Sequence, residues 1–256
     1  MTRRVRSESV PAVLVFAGLD PCGGAGLAAD VLAIAAQGAH ALPVATALTV
    51  QDNNRVRAVR AVDAAFVLAQ AQALVDSVDI RAVKLGIAGS RANARAIAGL
   101  LRGLRARDSA LPIVLDPVLA SGHGDPLADD DPVAIVNELL PLASIALPNE
   151  PEARAIGGFP CAHLLLTGGH GDGSVVENRW TTRGQRVRSW RWPRLPGGFH
   201  GSGCTLAAAL AGRLAHGETM EAALDAAQAY CHDALAASFA IAPGQRIPRR
   251  FLSPTV

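Results

Sequence analysis

The sequence predicts an α/β fold in which a mostly parallel sheet is covered by helices. Three observations predict it. Short apolar runs alternate with stretches of helical length along most of the chain, and run after run ends in a polar, Gly- or Pro-bearing turn. That is the pattern of strands buried on both faces and joined by crossover helices. Then, between Ser174 and Trp192, the rhythm changes to a period of two, which predicts a small antiparallel hairpin.

Taken in order, Val13–Ala17 is a continuous apolar run, and the Gly-rich turn GLDPCGGAG (18–26) leads from it into a helix over Leu27–Gln37. Leu42–Val50 is a second strand, closed by the polar turn QDNN (51–54), and Phe66–Ser77 is an amphipathic helix. Ala82–Gly86 is a strand that carries Lys84 inside its apolar run; a helix over Ala92–Arg107 follows. Ile113–Leu115 runs into Asp116 and Pro117, and Asp131–Leu140 is helical. Ser144–Leu147 ends in PNEPE (148–152), and Leu164–Thr167 ends in Gly168 and Gly169. The hairpin pairs Ser174–Thr182 with Gln185–Trp192 about a turn at Arg183 and Gly184, with Arg186, Arg188 and Arg191 on a wet face. Helices over Cys204–Leu214 and Thr219–Phe239 complete the chain. No internal repeat, linker or break in composition divides it, so residues 1–256 are expected to form one domain, with 1–10 a flexible tail.

Composition limits the function. Half of the residues are hydrophobic and only 4% are aromatic, so the core must be aliphatic. A net charge of +2 without an aromatic stacking platform argues against a nucleic-acid partner. No uninterrupted apolar stretch of about 18 residues is present, so no membrane-spanning helix is expected. The four cysteines lie far apart with no C-x-x-C pair, which suits reduced thiols in the cytoplasm better than a disulfide framework or a zinc site.

Ligands of such sheets bind outside the carboxyl ends of the strands. Those ends carry Asp20, Gln51, Asp116, Asn149, Glu152 and Gly168. A further feature is HGSGC (200–204), which runs straight into an Ala/Leu-rich helix. Small turning residues before a helix aim its first N–H groups into open space, where the dipole favours an anion. Anion cradle and carboxylates together suggest phosphoryl transfer, a reaction catalysed by positioning and charge neutralisation. Asp116 and Glu152 are candidates to hold Mg²⁺, and are equally the kind of carboxylate that caps a turn. Cys204 reads either as a thiol acidified by the helix N-terminus, able to take a proton from a hydroxyl, or as a small buried cysteine filling space.

Six blocks then point to a family: AGLDPCGGAGLAAD (17–30), TALTVQDN (46–53), VKLGIAGS (83–90), VLDPVLASGHGDPL (114–127), LPNEPEA (147–153) with LLLTGGH (164–170), and HGSGCTLAAAL (200–210). In this order and over nearly the whole chain they resemble the hydroxymethylpyrimidine kinase/phosphomethylpyrimidine kinase family of thiamine biosynthesis, within the ribokinase-like superfamily. The resemblance implies a three-layer α/β/α fold, use of ATP and Mg²⁺, a pyrimidine substrate and a homodimer. It assigns Gly201, Ser202 and Gly203 to the anion hole and Cys204 to the base for the substrate hydroxyl. Gln51 matches the residue that bonds the aminopyrimidine ring, and Ala17, Gly18 and Asp20 match the wall beneath it. Asp116 and Glu152 match the metal-organising acids, with Asn149 beside Glu152 in the superfamily's N-x-x-E motif. Thr167, Gly168 and Gly169 fall at the nucleotide.

The chain departs from that family at three places. Ile87 stands where a methionine is usual, and Thr167 where a lysine is common. Between Glu152 and Leu164 only eleven residues remain, where the family fits a further helix. These changes alter the ring's wall and remove a positive charge and a segment at the nucleotide end. A pyridoxal kinase of the same branch and a non-catalytic pyrimidine-binding protein are the rival readings.

Overall fold

The computed structural model describes residues 10–251, so the expected N-terminal tail lies almost wholly outside the described residues. Nine strands form one sheet: β1 (Ala12–Leu19), β2 (His40–Gln51), β3 (Val56–Ala61), β4 (Ile80–Leu85), β5 (Ile113–Leu115), β6 (Ile145–Ala146), β7 (His163–Leu166), β8 (Val175–Thr182) and β9 (Gln185–Pro193). Their spatial order is β3-β2-β1-β4-β5-β6-β7-β8-β9. The pairs from β2 to β7 are parallel, whereas β3, β8 and β9 join antiparallel at the two edges.

Seven helices cover the sheet: α1 (Gly26–Ala36), α2 (Ala64–Val75), α3 (Arg91–Arg107), α4 (Pro132–Leu139), α5 (Glu150–Ile156), α6 (Ser202–Ala215) and α7 (Met220–Ala236). The two-residue period of β1 explains how they are divided. Val13, Val15 and Ala17 pack into one aliphatic cluster with Ile34, Leu210 and Leu224 from α1, α6 and α7. Leu14 and Phe16 point the other way, into a second cluster with Val67, Ile97 and Ile135 from α2, α3 and α4. Every residue of β1 up to Ala17 is buried, which is why the strand reads as an unbroken apolar run.

Three differences from the sequence expectation have physical causes. Strand β3 was not foreseen because its residues are exposed or half-buried, so no buried face imposes a clean alternation. Helix α5 occupies part of the shortened stretch; Asn149 and Glu152 make its capping box and Gly157, in the left-handed region, ends it. Helix α7 stops at Ala236, before Phe239, because Phe239 leaves to exchange backbone hydrogen bonds with Ile247. The hairpin turns at Arg183 and Gly184, both with positive φ, as its two-residue loop requires. Its Trp180 and Trp190 face inward, while Arg186 and Arg191 face water and Val187 lies exposed near the turn.

Candidate active site

A cleft of about 510 Å³ opens along the carboxyl ends of the parallel strands. Its floor is made where the turn after β1 meets the turn before α6. Gly201 caps α6 with φ 76°, and a side chain there would run into the Gly24 carbonyl, so the two turns pack backbone to backbone. No side chain caps the helix and no acid stands in its first turn. The N–H groups of Ser202, Gly203 and Cys204 are therefore left to the cleft that these residues line.

Two carboxylates face that helix end. Asp116 is buried, lies under Gly203, and has an oxygen (Oδ2) that finds no hydrogen-bond partner. Glu152 accepts the Asn149 N–H at 2.8 Å, and the Asn149 side chain accepts the Glu152 N–H at 2.9 Å. Burial, then the neighbouring Asp116, push Glu152 up to about 8. Burial also raises Asp116, against the pull of Lys84. Two crowded carboxylates, one with an orphaned oxygen, are the oxygen-donor set a hard divalent cation fits.

Cys204 lines the cleft at the first turn of α6, and its acidity corrects the expectation of a thiol acidified by the helix. Burial pushes Cys204 up to about 12; Lys84 and the Gly26 N–H pull it down, and Asp116 and Asp30 hold it up. The helix end is outweighed because the thiol is enclosed and faces two acids. A thiol pushed that high keeps its proton near neutral pH.

Ala17, Gly18, Asp20, Gln51 and Ile87 form one part of the cleft lining. Ile87 lies directly over Gly18, so a side chain at 18 would occupy its place. Gln51 makes no side-chain hydrogen bond among the described residues. Asp20 is engaged within the protein: it accepts from the N–H groups of Cys22 (2.9 Å) and Ala25 (2.8 Å), the Cys22 thiol (3.2 Å) and His200 (2.8 Å). Burial alone would raise Asp20; these bonds outweigh it and hold the carboxyl below its ordinary value. Asp20 therefore shapes the turn and orients His200 instead of offering free valence to a ligand.

Thr167, Gly169 and Asn149 line another part of the cleft. Gly168 does not. It presses against the backbone of Glu177, with its N–H donated to Asn178 at 3.0 Å, and leaves no room for a side chain. Arg194 also lines the cleft and donates from Nη1 to the Gly169 carbonyl at 2.8 Å. It supplies a positive charge near the position where Thr167 supplies none.

Sequence reasoning missed several of these groups. Lys84, fully buried, donates to Asp30 at 2.9 Å directly beneath Cys204 and Asp116. A charge inside an apolar strand was the visible signal; its partner, inside an Ala-rich helix, had none. Asn178 links Gly168 to Gln228 (2.8 Å), and Trp192 stacks on His232 at 4.8 Å, both pairs joining the hairpin to α7 across sequence distance.

The description "Phosphomethylpyrimidine kinase" belongs to a family model that matches residues 20–163 and 157–248, dividing in the shortened stretch. A hydroxymethylpyrimidine/phosphomethylpyrimidine kinase of Rhizobium meliloti (strain 1021) is 37% identical over 91% of this chain and 93% of its own length. One from Streptomyces coelicolor is 35% identical over 95% and 96%. Among solved structures, phosphomethylpyrimidine kinase from Clostridium difficile 630 superposes with a TM-score of 0.72 at 26% identity, covering 87% of this chain and 98% of that one. An ADP complex of Bacillus subtilis pyridoxal kinase shares the fold, with a TM-score of 0.83 at 20% identity over 94% and 98%. With an uncapped helix end and crowded carboxylates in one cleft, and with a family model and relatives at 35–37% identity that cover most of it, the chain belongs to the phosphomethylpyrimidine kinase family.

Proposed function

We propose that the chain transfers the terminal phosphoryl group of ATP to 4-amino-5-hydroxymethyl-2-methylpyrimidine, to its monophosphate, or to both. One observation supports the residue roles: the open first turn of α6, with Cys204 and Asp116, lines the same cleft as Gly18 and Ile87 and as Asn149 and Gly169. The ring rests against Ala17, Gly18 and Ile87, and Gln51 bonds its polar edge. With the hydroxymethylpyrimidine, Cys204 takes the proton of the attacking hydroxyl as that oxygen bonds to phosphorus and the bond to the leaving ADP breaks; with the monophosphate, a phosphate oxygen attacks and needs no such base. The N–H groups of Ser202, Gly203 and Cys204 hold the charge on the phosphoryl oxygens.

Asp116 and Glu152, with Asn149 bracing Glu152, would hold Mg²⁺, which supplies charge neutralisation at the phosphates. The resting thiol at Cys204 fits this reading. Its proton is held on partly by Asp116, so neutralising that carboxylate favours its release. Nucleotide phosphates lie toward Thr167 and Gly169, with Gly168 fixing the turn and Arg194 giving the charge.

A coupled ADP-release assay with the pyrimidine, its monophosphate and pyridoxal side by side tests the substrate. Turnover confined to pyridoxal would refute it, as would tight pyrimidine binding without any phosphate transfer. The resemblance also implies a homodimer, which light scattering in solution checks. No helix among the described residues is long and apolar enough to cross a membrane, in keeping with a cytoplasmic enzyme.

A further inference from the structure

Arg250 stands outside every motif of the chain, yet it is 2% exposed and packed under the cleft floor. Its guanidinium donates from Nε to the Thr205 hydroxyl at 3.0 Å, from Nη1 to the Gly23 carbonyl at 3.4 Å, and from Nη2 to the carbonyls of Gly24 at 2.5 Å and Gly201 at 3.4 Å. Gly23 and Gly24 belong to the turn after β1, and Gly201 and Thr205 to the turn and first residues of α6. A single rigid fork therefore ties together the two turns that form the floor. Arg250 is itself held, because Tyr230 of α7 donates to its carbonyl at 2.8 Å. The Thr205 hydroxyl that it reaches donates in turn to the Gly201 carbonyl at 2.7 Å.

The charge of this group is as informative as its bonds. Among the described residues the fully buried ion pair is Lys84–Asp30, and Arg250 is not part of it. Among the described residues no carboxylate lies within 4.0 Å of Arg250, and Asp30, already bonded to Lys84, acts on it only from farther away. Burying a cation against neutral carbonyls alone is unfavourable, and such an arrangement is retained where an anion arrives to complete it. The anion that the neighbouring helix end is built to receive is a phosphoryl group.

We propose that Arg250 is a positioning residue for phosphoryl transfer. It locks the two glycine turns against each other and sets a positive charge that no carboxylate contacts behind the anion hole, with the phosphoryl group in flight as its direct counter-charge. This rests on the reading of the α6 first turn as the transfer site. The guanidinium lies behind the floor and touches neither substrate, so its effect is on the transition state and not on binding of either ground state.

The test compares Arg250→Met and Arg250→Lys with wild type by steady-state kinetics, with thermal unfolding as the check on folding. For the Met variant kcat should fall by about tenfold or more, while KM for ATP and for the pyrimidine stay within about threefold. The Lys variant, which keeps the charge and loses the fork, should recover part of that kcat, and methylguanidine added to Arg250→Ala should do the same. A folded Met variant with wild-type kcat, or one whose loss falls wholly on KM, would overturn the proposal. So would a loss that neither lysine nor methylguanidine relieves, since that is what a purely structural arginine gives. If the Met variant does not fold, Arg250→Lys decides alone: reduced kcat at unchanged KM supports the proposal, and unchanged kcat defeats it. An inactive wild type would count against the transfer-site reading, whereas an active wild type with an indifferent Arg250 counts against Arg250 only.

Discussion

Replacing Glu152 by Gln isolates one charge in the candidate metal site. The wild-type carboxyl goes from an ordinary 4.5 in the unfolded chain to about 8 in the folded one, with burial the larger cause and Asp116 the second. Across that window the native protein binds more protons than the unfolded chain, so the free energy of unfolding falls as pH rises and levels off above about 8. At about 1.36 kcal/mol per pH unit the full interval would amount to roughly 5 kcal/mol. Glu152 lines an open cleft, so screening reduces the expected effect to about 2–3 kcal/mol. Gln preserves the capping box, since its amide oxygen can accept the Asn149 N–H that Glu152 accepts now. Urea unfolding in EDTA should then show equal stability for the two proteins at about pH 5 and a more stable variant at about pH 9. Adding Mg²⁺ should restore the wild type at high pH and do little for Glu152→Gln, whose turnover should be much reduced. Parallel stability curves for the two proteins across this pH range would refute the assignment of a strained, cation-accepting pair.

Three further outcomes follow from the same geometry. Cys204→Ala should lower kcat by about two orders of magnitude or more with ATP binding nearly intact, and unchanged turnover would end its role as base. Lys84→Met leaves Asp30 buried and unpaired, so it should cost about 3–5 kcal/mol in urea unfolding; adding Asp30→Leu should recover much of this, and additive losses would show that the pair is not coupled. Gly168→Ala drives a methyl group into the Glu177 backbone and should cost about 1–3 kcal/mol and raise KM for ATP; a variant as stable as wild type would place Gly168 elsewhere.

The parallel core was legible because burial on both faces of β1, β4 and β5 leaves unbroken apolar runs, which few other elements produce. The floor of the site was legible for a related reason. Its turns need small residues whatever the surroundings, and those residues sit at fixed places next to strand and helix ends. Edge strand β3 and helix α5 were not, since one buries too little to show a period and the other is held mainly by its caps. The acidity of Cys204 was misjudged because sequence shows the helix end beside the thiol but not the enclosure around it, nor the two acids that fold opposite it.

What sequence could not show at all is how the charges beneath the cleft are shared. Lys84 on β4, Asp30 on α1, Asp116 after β5 and Arg250 near the C-terminus converge on Cys204 from four separate parts of the chain. Lys84 is already matched by Asp30, so it fixes the local field without being free to answer a new anion. Asp116 and Glu152 crowd each other enough to keep the Glu152 proton on up to about 8, and Arg250 has no carboxylate within 4.0 Å among the described residues. Crowded acids and an arginine bonded to neutral groups thus meet around one helix end. On the proposed reading a metal-bound phosphate would bring a cation to the acids and an anion to the helix end and the arginine. A neutral substrate alone would do neither, so the Cys204 proton would be held until a charged nucleotide completes the site.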